Sequence, residues 1–121
     1  MSKKHILITG TGSVGMRHAR NLTSLGATVS GTDPRGDRRA AFVDEFGTAA
    51  HQSLDDALAA GGFDGVAVCS PTRFHVEQCI PALEARLPVL LEKPVAKTLD
   101  EAQALVAVMI RTGTPLLLGY T

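Results

Sequence analysis

Charge of one sign is what this 121-residue chain lacks first, since twelve Lys and Arg stand against twelve Asp and Glu. Nucleic acids and anionic membrane surfaces are bound by basic faces, so the balance excludes both as expected partners and points to a small molecule. Cysteine is nearly missing as well. Cys69 falls in a strand pattern and Cys79 on a helix face, which suits buried free thiols better than a disulfide or a metal site. His5, His18, His51 and His75 are too scattered to complete a ligand cluster, and no metal is expected. No apolar run approaches the length of a membrane span. The short one near the N-terminus is interrupted by glycines before it reaches signal-peptide length, so the expected location is the cytoplasm. Aromatics are few, with no Trp, one Tyr and four Phe, yet 45% of residues are hydrophobic, which excludes disorder and predicts one domain over residues 1–121 with a real core.

What is present is a glycine turn. Gly10-Thr11-Gly12-Ser13-Val14-Gly15 joins an apolar strand, His5 to Thr9, to a helical pattern beginning at Ser13. Gly10 permits a tight turn, Gly12 lets backbone approach a pyrophosphate, and Gly15 lets the helix lie close on the strand. The start of that helix offers unpaired amides and the positive end of its dipole, so an anion binds there without a lysine. Asp33 follows Gly15 by 18 residues, at the end of a second strand from Ala27 to Thr32, where a carboxylate accepts hydrogen bonds from an adenosine ribose diol. Turn and carboxylate together predict a dinucleotide site. NAD is the expected cofactor because the carboxylate would repel a 2′-phosphate, with NADP as the alternative. Arg35 is placed to stack on adenine or to offset that repulsion, while Arg38 and Arg39 read as a solvated helix face in preference to the alternative, contact with the adenosine end of the cofactor.

Short apolar strands alternate with helical patterns along the whole chain, which predicts a parallel sheet covered on both faces. The first helix carries His18, Ala19, Leu22 and Leu25 on one stripe and ends at Gly26; the second buries Phe42, Val43 and Phe46 and ends at Gly47. A short third strand is read over Thr48 to His51. Ser53 with Asp56 forms a capping box before a helix of about two turns. Asp64 to Cys69 reads as a central strand, and Ser70-Pro71-Thr72 turns from it into a helix with Val76, Cys79, Ile80 and Leu83 on one face. Pro88 to Leu91 is a fifth strand leading directly into Glu92-Lys93-Pro94. Thr98 with Glu101 forms a second capping box, for a helix that buries Ala102, Leu105, Val106 and Met109 and ends at Gly113; Pro115 to Leu118 is the sixth strand. The expected fold is an α/β doubly wound parallel sheet in three layers, strand order 3-2-1-4-5-6, with its ligand crevice beyond the carboxyl ends of the strands where the order reverses. Gly10 to Gly15, Asp33, Ser70 to Thr72 and Glu92 to Pro94 all fall on that edge.

Three marks in combination, Gly10 to Gly15 followed by Arg17-His18, Ser70-Pro71-Thr72 followed by His75, and Glu92-Lys93-Pro94, resemble the N-terminal Rossmann domain of the glucose–fructose oxidoreductase / inositol dehydrogenase / rhizopine-catabolism family over essentially the whole chain. The resemblance implies an oxidoreductase that transfers a hydride between a nicotinamide cofactor and a sugar, cyclitol or related polyol. It implies that Lys93 sits beside the nicotinamide and hydrogen-bonds the reacting hydroxyl, where a cation favours loss of the proton. Ser70, Pro71, Thr72 and Glu92 then belong to the cofactor site; His75 is either a structural histidine or a cofactor contact, and His18 packs near the glycine turn. A cis Lys93–Pro94 bond is also implied. The family's general-base histidine and its aspartate come from a second, largely β-sheet domain after the sixth strand. This chain is therefore expected to bind NAD without turning over a polyol, and to expose Leu116 to Leu118 in a way that favours a homo-oligomer. Arg86 stands where relatives commonly have a helix-ending glycine, and Tyr120 is weighed as part of the substrate entrance. Two other classes are considered. A non-catalytic NAD sensor has no need of Lys93, and a methyltransferase is opposed by Gly15 and by the lack of that fold's last antiparallel strand.

Overall fold

Strand and helix alternate throughout the computed structural model, which describes residues 3–119. The elements are β1 (His5–Thr9), α1 (Ser13–Ser24), β2 (Thr28–Thr32), α2 (Gly36–Phe46), β3 (Ala50–His51), α3 (Leu54–Ala60), β4 (Gly65–Val68), α4 (His75–Glu84), β5 (Val89–Glu92), α5 (Leu99–Thr112) and β6 (Leu116–Gly119). A short 3-10 turn, Thr72–Phe74, leads into α4. All six strands pair in parallel in the order β3-β2-β1-β4-β5-β6, so the expected doubly wound sheet is present. The winding reverses between β1 and β4, which leaves a crevice at their carboxyl ends.

The two-residue period of a strand sorts the core into two layers. Leu7, Val66, Val68, Val89 and Leu91 face α3, α4 and α5, meeting Leu54, Ala57, Cys79, Leu83 and Leu105. Ile8, Val29 and Ala67 face the opposite way, toward Ala19 of α1 and Phe42 of α2. Three expected core residues lie outside these layers: Leu25 is 83% exposed, Val43 45% and Val106 51%. Val43 and Val106 each stand beside a residue that does point inward, and one step along a helix turns a side chain by about 100°. Phe42 pairs with Phe46 at a ring distance of 4.7 Å, which leaves Val43 on the flank, and Val108 takes the inward place beside Leu105 that Val106 does not. Leu25 caps the end of α1 and has no helical stripe to join.

Helix ends follow the local chemistry. Ser53 Oγ accepts from the Asp56 N–H and Thr98 Oγ1 from the Glu101 N–H, each at 3.1 Å, so both capping boxes form at least half of their expected pair. Gly26 closes α1 with paired bonds, its N–H to Thr23 O and the Ala27 N–H to Leu22 O, both at 3.0 Å. The end of α4 uses the same device with Arg86 in the glycine place, at φ 63°. A side chain in that left-handed conformation costs about 1 kcal/mol. The Arg86 guanidinium offsets it by donating to the carbonyl of Thr112 at the end of α5, which ties the two helix ends together.

Cys69 and Cys79 are free thiols, and burial pushes both up to about 12, with the Glu92 carboxylate adding to the effect at Cys69. Thiolate is the reactive form. Both cysteines should therefore resist a disulfide reagent such as DTNB at pH 8 in the folded chain and react at once in denaturant; rapid native labelling at either position would contradict this packing.

Candidate functional site

The site begins where β1 runs into α1. Gly10 has φ +84°, and a side chain there would place Cβ 2.7 Å from the backbone of Ser70, so the glycine turn rests directly on the turn after β4. Gly15 is tighter still. A Cβ on it would lie 1.8 Å from the Gly10 carbonyl oxygen, and this absence of a side chain is what lets α1 start so close to the strand. Gly12 is the N-cap of α1 and supplies no side-chain cap. The first turns of α2, α3, α4 and α5 each carry Asp or Glu, whereas the first turn of α1 carries none. Its amides and dipole thus remain uncompensated by the protein, and they open on a cleft of about 1000 Å³ lined by Gly10, Gly12, Ser13 and Val14.

Asp33, 3% exposed, forms the wall opposite. Its Oδ2 accepts from the Thr11 N–H at 2.9 Å and the Thr11 hydroxyl at 3.3 Å, and its Oδ1 accepts from the Arg35 N–H at 2.9 Å. The carboxylate thereby fastens the glycine turn to the loop after β2. Arg35 meets it through backbone alone. Its guanidinium turns to Asp37 at 2.7 Å, and that hydrogen bond holds the Asp37 carboxyl below its ordinary range. Arg38 and Arg39 are not the solvated face expected of them. Arg38 Nη1 lies 3.6 Å from Asp33 Oδ2, and its guanidinium covers Gly12 at the cleft. Arg39 donates to the carbonyls of Asp33 at 2.9 Å and Pro34 at 3.0 Å. The first turn of α2 begins directly after this loop, so its side chains reach back over the strand end instead of outward.

The far end of the cleft is built from the turns after β4 and β5. Thr9 Oγ1 and Ser70 Oγ both donate to Gln78 Oε1, at 2.8 and 2.7 Å, which joins β1, β4 and α4 beneath the cleft. His75 is buried, with its two ring nitrogens against the carbonyls of Pro94 and Ser70. Glu92 pairs with His18 of α1, both largely buried. Lys93 is exposed and lines the same cleft, and the Lys93–Pro94 bond is cis as expected. Arg35, Pro71 and Thr72 also reach the cleft, whereas Thr11 and Gly15 lie beneath it as supports. Thr9 and Gln78 carry no mark in the sequence; only the place of Gln78, one turn beyond His75 on the same helix, offers a signal. Tyr120 lies outside the described residues. No helix among the described residues is long and apolar enough to cross a membrane.

An uncompensated helix start and a buried carboxylate, facing one cleft at the switch point of a 3-2-1-4-5-6 sheet, define a dinucleotide-binding domain. The chain belongs to the oxidoreductase family with an NAD-binding Rossmann fold, whose model matches residues 4–120. It is 43% identical over 101 residues to the inositol 2-dehydrogenase of Leifsonia xyli subsp. xyli, an alignment covering 81% of this chain and 29% of that protein. The WlbA dehydrogenase of Chromobacterium violaceum, solved with NADH and UDP-GlcNAcA, matches with a TM-score of 0.91 at 26% identity, over 97% of this chain and 35% of that one. The apo scyllo-inositol dehydrogenase of Lactobacillus casei matches with a TM-score of 0.89 at 25% identity, over 98% and 37%. The chain thus spans about a third of the length of these relatives.

The tightest constraint yields the sharpest expectation. In Gly15→Ala the added methyl meets backbone that cannot step aside, so urea denaturation should show a loss of about 3 kcal/mol and titration should show no NADH binding. A variant that binds NADH normally would mean that α1 can shift without harm.

Proposed function

We propose that this chain is the cofactor-binding part of a dehydrogenase acting on a sugar, cyclitol or related polyol, with NAD lying across the cleft. The observation that carries this reading is the α1 start, bare of side-chain caps and acids, which shares one cleft with Asp33 and Lys93. The residues fit the group: Gly12, Ser13 and Val14 would hold the pyrophosphate, Asp33 the adenosine ribose, and Ser70, Pro71, Thr72 and Glu92 the nicotinamide end, with the buried His75 ring supporting the Ser70 and Pro94 turns behind them. Bound NAD supplies the hydride acceptor. Lys93 would hydrogen-bond the substrate hydroxyl, and its cation favours loss of the hydroxyl proton. Relatives named inositol 2-dehydrogenase and scyllo-inositol dehydrogenase support the substrate class.

Asp33 favours NAD over NADP, since one of its oxygens would meet the ribose 2′-hydroxyl and repel a 2′-phosphate. Arg38, whose guanidinium lies 3.6 Å from Asp33 Oδ2, is the nearer counterweight, while the Arg35 guanidinium is turned to Asp37. Calorimetric titration should find NADH bound more tightly than NADPH; Asp33→Ala should narrow the difference, and Arg38→Ala should weaken NADPH more than NADH. Equal or tighter NADPH binding by the unaltered chain would overturn this assignment.

Cofactor contacts are abundant in these residues, but a base for the hydroxyl proton and a wall over the nicotinamide are not among those described. Positioning of reactants is worth about 7–11 kcal/mol of barrier. The 121-residue chain should therefore bind NADH yet yield no substrate-dependent NADH in a polyol panel, measured at 340 nm. Robust turnover would show that residues of this chain complete the site.

A further inference from the structure

Gln78 has an oxygen that the fold uses and a nitrogen that it does not. Oε1 accepts from the Thr9 hydroxyl at 2.8 Å and from the Ser70 hydroxyl at 2.7 Å, so both of its lone pairs are taken. Thr9 and Ser70 are themselves buried, and the reverse orientation, with Nε2 toward them, would leave two hydroxyl protons without an acceptor among the described residues. The carboxamide therefore has one orientation. Nε2 bonds to nothing among the described residues, yet no buried side-chain nitrogen among them lacks a partner, so Nε2 is open to solvent. The opening is the cleft, which Gln78 lines. Its place in the first turn of α4 agrees, because a helical side chain leans toward the start of its helix.

Thr9 ends β1 and Ser70 follows β4, so the carboxamide bridges the two strands between which the winding reverses. A dinucleotide with its adenosine end at Asp33, on the β2 side, passes over this gap on its way to the β5 side. What it brings there is ribose hydroxyls and phosphate oxygens. These accept hydrogen bonds, and a neutral N–H pair suits them. We propose that Gln78 binds the cofactor directly, its Nε2 donating to an oxygen of the ribose phosphate on the nicotinamide side. A tie between β1 and β4 needs only an acceptor, which a carboxylate would supply equally well. The amide nitrogen is what the tie leaves over. This role rests on the reading of the cleft as a dinucleotide site, and it gives Gln78 no part in proton or hydride transfer.

Gln78→Glu separates the tie from the ligand contact, because a carboxylate still accepts from Thr9 and Ser70 but offers the cleft an oxygen in place of a donor. In calorimetric titration the variant should bind NADH about tenfold or more weakly, and AMP, which carries only the adenosine end, within about twofold of the unaltered chain. Undiminished NADH binding, or an equal loss for AMP, would overturn the proposal. Should the variant fail to fold, proton–nitrogen spectra of the unaltered chain decide instead, since its only side-chain carboxamides are Asn21, Gln52, Gln78 and Gln103. The Gln78 pair should shift with NADH and stay in place with AMP, while Asn21 and Gln103, which do not line the cleft, serve as unmoved references. A Gln78 pair indifferent to NADH would count against the contact. If the unaltered chain binds no NADH, the cofactor reading fails as a whole; if it binds NADH and Gln78 is indifferent, only the role of Gln78 does.

Discussion

One buried carboxylate holds the cleft together. Asp33 grips the amide of Thr11 on one side and the amide of Arg35 on the other, and hydrogen bonds to a charged group contribute about 1.5–3 kcal/mol each. Without it the glycine turn would be tied to β2 by the Gly10 N–H bond to the Thr32 carbonyl and would lose the hold on Thr11. The start of α1 would lose its aim, because that helix sits where the Gly10 carbonyl and the missing Gly15 side chain allow. The residue that the ribose would meet is thus also the residue that shapes the phosphate end, and recognition and architecture share one side chain.

Legibility in the sequence follows the range of the interaction. The two Ser/Thr caps and the glycine turn depend on neighbours within a few residues, and they stand where spacing puts them; strand order is long-range, and it is legible only because alternating strands and helices with right-handed crossovers leave few topologies. Adjacent apolar pairs are harder, since Phe42-Val43 and Leu105-Val106 each offer two candidates for one inward place, and only the packed sheet chooses. Long side chains are harder again. Arg38 has the composition of a solvated residue, yet the start of α2 lies so near the end of β2 that its guanidinium folds back over Gly12. The pairing of His18 with Glu92 spans 74 residues of chain and exists only because α1 and β5 meet at the same edge. His75 shows the limit most plainly: its residue type was visible, but the atoms that face its ring were not.

The charge balance of the chain conceals a local asymmetry. Four helices begin with acids that answer their own dipoles, and the fifth leaves its dipole open to the cleft. Two cations line that cleft, Arg38 at 3.6 Å from Asp33 Oδ2 and Lys93 in the turn after β5. A neutral protein can therefore offer an anion-binding groove, because what matters is where the compensation is withheld and not the total.

The two edges of the sheet are unequal. β3 pairs with β2 through only two residues, too short a ladder to template another chain, whereas β6 presents four residues beginning Leu116-Leu117-Leu118, with Leu117 69% exposed. Among the described residues, β6 is the sheet edge long enough to accept a further strand. Copies of this sheet joined edge to edge through β6 would close as a two-fold pair, since growth into a fibre requires two competent edges on every copy.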